Sequence, residues 1–258
     1  MPAWLAASAA YLTYVALVAA LLPGVSRGGR LRAVAFVAIG AFAIASAAGS
    51  ASALLRVWVL PPIILLAAYW ATGALFVAPM VKVERALHAI DDRLRIRHLA
   101  TRTPPWLATL LELGYAGVYP LIPIALGLHM WYADPPDAAR FWGVILITDF
   151  ICFGTLPWLQ TRPPRSIEGD EPWRSALRRL NVRLMRTASI RVNTFPSGHA
   201  AEALACALLA LDAPPLWLAW MFFNVVAISA GAVLGRYHYA VDALAGWIVA
   251  VVVWWCVP

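Results

Sequence analysis

The amino-acid sequence predicts an all-α fold, a polytopic membrane helix bundle with about eight transmembrane helices. Two observations lead to this prediction. First, 62% of the 258 residues are hydrophobic and 13% are charged, with a mean hydropathy of +0.75, which is more apolar than a soluble domain. Second, the apolar residues form continuous stretches long enough to cross a bilayer, without the alternating polarity of a membrane β-barrel.

The apolar stretches follow one another in what we expect to be a single integral membrane domain, residues 1–258. Residues 1–79 hold the N-terminal spans, residues 80–105 form a basic interfacial loop, and residues 106–258 hold the helices that carry the motifs described below. We expect spans at roughly 3–23, 33–52, 58–79, 106–132, 140–160, 198–212, 215–234 and 242–257. No basic residue precedes the first apolar run, which favours a retained span over a cleaved signal peptide.

Two basic loops carry helical patterns of their own. Apolar residues recur at helical spacing at Val83, Leu87, Ile90 and Leu94, and again at Trp173, Leu177, Leu180 and Leu184. Both patterns predict amphipathic helices that lie in the headgroup layer. The alternative is a group of charges that only fixes the topology.

The basic residues indicate which partners the chain has and how it is oriented. The formal charge is +7, and the basic residues lie in short loops between spans, which favours anionic lipid headgroups over nucleic acid as the partner. Of 20 basic residues, all but Arg56 and Arg140 fall on one face, which leaves 18. Setting aside Arg162, Arg165, Arg191 and Arg236 as candidate site residues leaves 14 of 16 on that face. Because positive loops remain inside, we expect that face in the cytoplasm of a bacterial inner (cell) membrane.

The three cysteines and several polar residues lie within the expected spans. Cys152, Cys206 and Cys256 behave there as small apolar residues and imply neither a disulfide nor a zinc site. Ionisable or polar residues occur within or near the spans at Glu112, His129, Asp149, Glu202 and Asn224. Such residues are costly in lipid, and we expect most of them to form hydrogen bonds between helices. Glu202 lies about one helical turn beyond His199, where it is placed to tune that histidine.

Two motifs near the C-terminus carry the chemistry of the chain. Pro196–His199 and Gly235–Asp242 each stand at the start of an apolar segment, so that two histidines, one carboxylate and nearby arginines meet at a membrane surface. Arginine guanidinium groups match phosphate oxygens, one histidine can attack phosphorus, and a second can protonate the departing oxygen. The paired motifs therefore indicate phosphoryl transfer.

These motifs, together with Arg162–Arg165, resemble the three ordered motifs of the type 2 phosphatidic acid phosphatase superfamily. The resemblance covers roughly residues 145–250. Its His-Tyr-x-x-Asp ending, at residues 238–242, is similar to the branch that includes inositol phosphorylceramide synthases and many bacterial lipid phosphatases. The resemblance implies a six-helix phosphatase core with the site at one membrane face, and the first spans here are then an N-terminal addition.

The resemblance also implies a role for each matching residue. His238 is expected to be the nucleophile that forms a phosphohistidine, Asp242 to orient it, and His199 to protonate the leaving group. Ser197 and the Gly198 backbone are expected to hold phosphate oxygens. The residues agree with these roles, since His238 and Asp242 share one helical face, and a helix N-terminus at Gly198 attracts an anion.

The motifs offer more than one arginine as a phosphate ligand. Arg165 and Arg162 are both candidates for the first-motif phosphate ligand, and we favour Arg165 because of the Pro-Pro-Arg pattern. The family's first-motif lysine is replaced by Thr155, and its third-motif Ser-Arg pair by Gly231 and Ala232. Arg236, two residues before His238, is the expected substitute.

Three functions remain open from the sequence. The first is a metal-independent hydrolase of lipid metabolism that removes phosphate from a lipid phosphate and needs no cofactor, because arginines neutralise the phosphate charge. The second is a lipid phosphotransferase, in which a lipid or polyol hydroxyl replaces water as the acceptor. The third is a transporter or inactive scaffold that keeps a vestigial phosphate site.

Overall fold

The computed structural model describes residues 2–168, 171–190 and 192–258, and within these ranges the chain is helical with no strand. Its helices are α1 (Ala3–Leu21), α2 (Arg27–Gly49), α3 (Leu60–Gly73), α4 (Val81–Arg93), α5 (Ile96–Thr101), α6 (Pro105–Ala116), α7 (Val118–Tyr132), α8 (Ala138–Gly154), α9 (Ala176–Ala188), α10 (Gly198–Leu209), α11 (Pro215–Leu234) and α12 (Ala240–Cys256). A π-helical segment, Leu55–Val59, leads into α3, and a 3₁₀ turn, Pro164–Ser166, follows α8. The predicted all-α membrane-type bundle is confirmed.

The expected apolar stretches are all helical, but they differ in length. In the described part of the chain, four helices are long and apolar enough to cross a membrane, Ala3–Leu21, Arg27–Gly49, Leu55–Gly73 and Pro215–Leu234. The bent pair α6 and α7 adds a fifth if it counts as one span. Helix α10 has 12 residues and covers only about 18 Å, so its apolar stretch does not give a full span by length. Hydropathy alone therefore suggested more full-length spans than the helix lengths support.

The expected span at 106–132 is a bent pair of helices. Helix α6 ends at Ala116, α7 begins at Val118, and their axes differ by 58°. Pro120 has no N–H to donate to the carbonyl of Ala116, so a straight helix through this segment would lose that hydrogen bond. Gly117 sits at the bend, where an added Cβ would lie 2.9 Å from the Gly114 carbonyl oxygen.

The N-terminal helices form a layer beside the motif-bearing helices. Helices α1, α2 and α3 pack on one another, and α1 and α3 also pack on α8. Tyr11 of α1 stacks on Phe150 of α8 with ring centroids 4.4 Å apart, and the Tyr14 hydroxyl donates a hydrogen bond to the Gly154 carbonyl. These contacts join residues 1–79 to the helix that precedes the first motif.

Helix α10 lies among α7, α8, α11 and α12 and brings two motifs together. Its inner surface is made of small buried residues, namely Ala200, Ala201, Ala203, Ala205 and Ala207. Helix α12 approaches at Gly246, where an added Cβ would lie 2.6 Å from the Ser197 carbonyl oxygen. Small residues let the helix backbones approach closely. The N-terminal parts of α10 and α12, which carry one histidine motif each, therefore lie side by side.

Helices α4 and α9 are the two helices predicted for the basic loops. Each buries a stripe that includes charged or polar side chains: Glu84, Leu87 and Asp91 on α4, and Arg178, Asn181 and Met185 on α9. Part of each apolar pattern faces outward, with Leu94 and Leu180 about half exposed. The apolar surface is thus free to contact lipid, and the inward stripes face the motif residues.

Candidate active site

The second motif forms the N-terminal cap of α10. The Ser197 hydroxyl accepts a hydrogen bond from the Ala200 amide at 3.4 Å, and the Gly198 amide donates to Thr194 Oγ1 at 3.4 Å. The Ser197 amide donates to the Asp242 carbonyl oxygen at 2.9 Å, which joins the second motif to the third. The positive end of the helix dipole at this helix start favours an anion. The predicted phosphate-binding residues Ser197 and Gly198 therefore lie beside the third motif.

His238 lies just before α12, ahead of the N-cap residue Tyr239, and Asp242 lies in the first turn of the helix, so the two do not share a helical face as expected. His238 Nδ1 is 3.4 Å from Asp242 Oδ2, an ion-pair distance without hydrogen-bond geometry. The same Asp242 oxygen accepts hydrogen bonds from the Tyr239 amide at 3.0 Å and from Asn193 Nδ2 at 2.9 Å. Asp242 is fully buried, so these two donors fix its orientation toward the histidine. Because Nδ1 faces Asp242, the Nε2 atom of His238 is the nitrogen left for chemistry.

His199 lies across from His238. Their ring centroids are 6.0 Å apart with planes tilted by 49°. On its other side, His199 stacks on Tyr115 with centroids 5.4 Å apart and planes within 3°. The two histidines thus face one gap, and each is supported from behind by a buried residue.

Arg165 is the predicted arginine whose guanidinium is available to a ligand. Its main-chain amide donates to the Arg236 carbonyl at 3.0 Å, which ties the first motif to the third. The guanidinium carbon lies 5.0 Å from the centroid of Tyr237, the residue before His238. Burial lowers the pKa of Arg165, although a guanidinium stays charged in proteins. Among the described residues, its side chain has no hydrogen bond or ion pair.

Arg162 is held by a carboxylate instead. Its Nε and Nη2 atoms donate to the two oxygens of Glu84 on α4, at 3.1 Å and 2.9 Å. These hydrogen bonds hold the pKa of Glu84 below its usual value, and pairing with Glu84 raises the pKa of Arg162. The Arg162 carbonyl accepts a hydrogen bond from the Tyr239 hydroxyl at 3.3 Å. The predicted phosphate role of Arg162 stays a prediction, for a side chain that is already paired.

Arg236 is paired more completely. It is 2% exposed, donates from Nε and Nη2 to Glu168, and donates from Nη1 to Asp91 Oδ2 at 2.6 Å. Burial alone would raise the pKa of Glu168, but the hydrogen bonds from Arg236 bring that pKa below its usual value. For Asp91, burial has the larger effect and raises the pKa. The backbone of Arg236 is left-handed, with a φ of 61°, a conformation that costs a non-glycine residue about 1–2 kcal/mol. A phosphate role for Arg236 also stays a prediction, since these carboxylates occupy its guanidinium.

Thr155 stands where the family has its first-motif lysine. Its hydroxyl lies within hydrogen-bond reach of the carbonyl oxygens of Cys152 and Phe195. The threonine therefore connects the end of α8 to the second motif and brings no positive charge. Arg191, the remaining arginine set aside in the sequence, lies outside the described residues.

Sequence reasoning missed the carboxylates that pair with the arginines and the amide that orients Asp242. Glu84, Asp91 and Glu168 lie at least 68 positions from the arginines they bind, and Asn193 lies 49 positions from Asp242. One signal was present, because Glu84 and Asp91 are seven residues apart on one face of a helix in an otherwise basic loop.

Comparison with known families gives a result that agrees with this geometry. A family model described as the PAP2 superfamily matches residues 78–256, which is more than half of the chain and includes α4 to α12. The match begins well before residue 145, where the sequence resemblance starts. Comparison with curated proteins and with solved structures gives no match. Membership supports a phosphatase-type function, and the chain belongs to the PAP2 superfamily.

Proposed function

We propose that this protein is a lipid-phosphate phosphatase that works through a phosphohistidine on His238. The observation that carries the proposal is the pair of histidines, with ring centroids 6.0 Å apart, one beside Asp242 and the other stacked on Tyr115. A nucleophile and a proton donor on opposite sides of one gap is the arrangement that phosphoryl transfer needs.

The first half-reaction forms the phosphoenzyme. Arg165 and the Ser197 hydroxyl hold the phosphate oxygens, and the positive end of the α10 dipole stabilises their charge. His238 Nε2 attacks phosphorus, a P–N bond forms, and the bond between phosphorus and the lipid oxygen breaks. His199 gives its proton to that oxygen, and the lipid alcohol leaves. Asp242 stabilises the positive imidazole ring that develops on His238.

The second half-reaction restores the enzyme. His199, now neutral, takes a proton from water, and the water oxygen attacks phosphorus. The P–N bond breaks, inorganic phosphate is released, and His238 returns to its neutral form. His199 carries the proton needed for the next turnover, so the cycle closes with no change in the protein.

We assign the phosphate-binding arginine to Arg165 and a different role to its neighbours. Arg162 is bound by Glu84, and Arg236 by Asp91 and Glu168, so both are neutralised before a substrate arrives. Their ion pairs hold the first and third motifs against α4. This supports a cradle of one arginine and the α10 N-terminus in place of the family's lysine and arginines.

The lipid character of the substrate rests on the position of the site. His199 and Arg165 are partly exposed near the N-terminal ends of the apolar helices α10 and α12. The amphipathic helices α4 and α9 lie beside them. The exposed arginines of these two helices suit anionic lipid headgroups. The similarity of residues 238–242 to the branch with inositol phosphorylceramide synthases also favours a lipid substrate.

A product assay tests the activity. Purified protein in detergent is given lipid phosphates, lipid pyrophosphates and soluble phosphates, with EDTA present, and released phosphate is measured with and without a lipid alcohol acceptor. We expect release from lipid phosphates without an acceptor. Phosphate transferred to the alcohol in preference to water would make the chain a phosphotransferase, and no turnover of any phosphate ester would refute the proposal.

We further propose that the site faces the cytoplasm, where 14 of 16 basic residues outside the site are expected. Single cysteines at Ser166, beside the first motif, and at Asp134, at the opposite end of α8, are both at exposed positions. In a background without the native cysteines, a membrane-impermeant thiol reagent applied to intact cells should label position 134 and not 166. Labelling of 166 and not 134 would place the site on the outer face.

A further inference from the structure

Glu112 is a buried carboxylate of α6 that receives hydrogen bonds from four side chains. It is 1% exposed. Oε1 accepts from Trp173 Nε1 at 2.9 Å and from Arg178 Nη1 at 3.0 Å, and Oε2 accepts from Asn181 Nδ2 at 2.7 Å and from the Tyr237 hydroxyl at 2.8 Å. A carboxylate has about four acceptor positions, so these donors fill its capacity. The sequence predicted a hydrogen bond between helices for Glu112. In the structure Glu112 joins more segments than that, because its donors come from α9, the segment before α9 and the third motif.

Tyr237 carries this anchor to the catalytic pair. It directly precedes His238, and its ring stacks on Tyr115 with centroids 4.3 Å apart and planes within 14°. Tyr115 stacks in turn on His199 with centroids 5.4 Å apart. One row of rings therefore runs from Tyr237 to His199, and Glu112 holds the hydroxyl at its end.

Arg178 gives a second connection between Glu112 and the third motif. Its Nη1 atom donates to Glu112 and to the Gly235 carbonyl at 3.1 Å, and its guanidinium carbon lies 5.3 Å from the Tyr237 ring centroid. Arg178 is 2% exposed, so a buried ion pair fixes it. The backbone from Gly235 to Tyr237 is thus held at both ends through one carboxylate.

We infer that Glu112 is a positioning residue for phosphoryl transfer, acting through Tyr237 to set the gap between His238 and His199. The inference rests on the proposed function. A displacement of about 1 Å between reacting groups can lower turnover about a hundredfold. The hydroxyl of Tyr237 donates the hydrogen bond to Glu112, and its ring stacks on Tyr115.

The variant Tyr237→Phe separates these two contacts, because it keeps the stacked ring and removes only the hydrogen bond to Glu112. Tyr69→Phe is the matched control. The Tyr69 hydroxyl lies 3.0 Å from Ser189 Oγ and accepts a hydrogen bond from the Ile190 amide at 3.2 Å, so it tethers the chain just after α9 without contacting the third motif. Each variant loses one tyrosine hydroxyl that joins two segments: that of Tyr237 bonds Glu112 on α6, and that of Tyr69 bonds the chain just after α9.

Two readouts are needed. For turnover, we expect kcat of Tyr237→Phe to fall about tenfold with KM within about twofold, and Tyr69→Phe to match wild type. For the nucleophile itself, the rate of His238 modification by diethyl pyrocarbonate, followed by mass spectrometry, should rise about threefold in Tyr237→Phe alone as the side chain loosens. Glu112→Gln should change both quantities in the same direction.

The outcomes separate this inference from the proposed function. If wild-type protein turns over no phosphate ester, the proposed function fails, and the labelling rates still decide whether Tyr237 and Glu112 hold His238. Unchanged His238 labelling in Tyr237→Phe overturns the inference whatever the turnover. Changed labelling with wild-type kcat in an active enzyme shows that the contact is only structural and overturns the positioning role.

Discussion

Replacing Arg165 by lysine tests the assignment of the phosphate cradle. Within the described part of the chain, no carboxylate binds the guanidinium of Arg165, whereas Arg162 and Arg236 are bound. Lysine keeps the positive charge and removes the planar pair of donors that matches two phosphate oxygens. We expect Arg165→Lys to lose activity and to keep its stability, since among the described residues no side-chain hydrogen bond of Arg165 is broken.

The size of the loss follows from the bonds involved. A hydrogen bond to a charged group contributes about 1.5–3 kcal/mol. Losing one of two such bonds to the phosphate in the transition state corresponds to a decrease in kcat/KM of about 10- to 150-fold, at 1.36 kcal/mol for each factor of ten. Arg162→Lys should change kcat/KM by less than about threefold, because the Arg162 side chain is already bound by the buried carboxylate of Glu84 and lysine keeps the charge of that pair.

The assay is phosphate release under initial-rate conditions, with thermal unfolding in the same detergent for each variant. A value of kcat/KM for Arg165→Lys within twofold of wild type would show that the phosphate is held elsewhere. A large loss in Arg162→Lys with unchanged thermal stability would move the assignment from Arg165 to Arg162.

Three further predictions follow from the same geometry. His238→Ala should abolish turnover, and full activity of this variant would refute the mechanism. His199→Ala should still accumulate a phosphoenzyme from a substrate with a good leaving group, detected by mass spectrometry without an acid step. Arg236→Lys should lower the free energy of unfolding by about 1–3 kcal/mol because it loses the forked contact with Glu168, and an unchanged thermal midpoint would contradict this. The pKa of Glu84 is lower in the folded protein than its usual value, so its pairing stabilises the protein above that usual value and is lost as pH falls through the lowered pKa. Glu84→Gln should therefore flatten the loss of thermal stability between about pH 6 and pH 3, and equal acid slopes would argue against it.

The sequence was most informative where a single local pattern decides the structure. Continuous apolar runs predicted the helices, because lipid leaves few other ways to satisfy the backbone. The spacing of His238 and Asp242 predicted that they lie together, and the structure places them 3.4 Å apart. The shared helical face was wrong, because His238 precedes Tyr239, the N-cap residue of α12. The short motif around Ser197 predicted a helix N-terminus at Gly198, and α10 begins there with Ser197 as its N-cap.

The sequence was least informative about pairings between distant residues. Asp91 binds Arg236 across 145 positions, and no periodicity in the chain links the two. The amphipathic pattern of α4 identified a helix but did not predict the contacts of its polar face. In the structure, Glu84 and Asp91 on that face bind the motif arginines. Arg236 was expected to hold phosphate because it stands two residues before His238. Its carboxylate partners come from distant segments, so the sequence did not reveal that they bind it.

Gly246 gives the active site a mechanical property. A methyl group at this position would meet the Ser197 carbonyl at 2.6 Å, so any larger residue would push α12 away from α10. His199 lies in the first turn of α10 and His238 just before α12, so the same push would widen the space between the two histidines. Gly246, which takes no part in the proposed chemistry, thus sets the distance between His238 and His199. A substitution there would change this distance without altering either histidine.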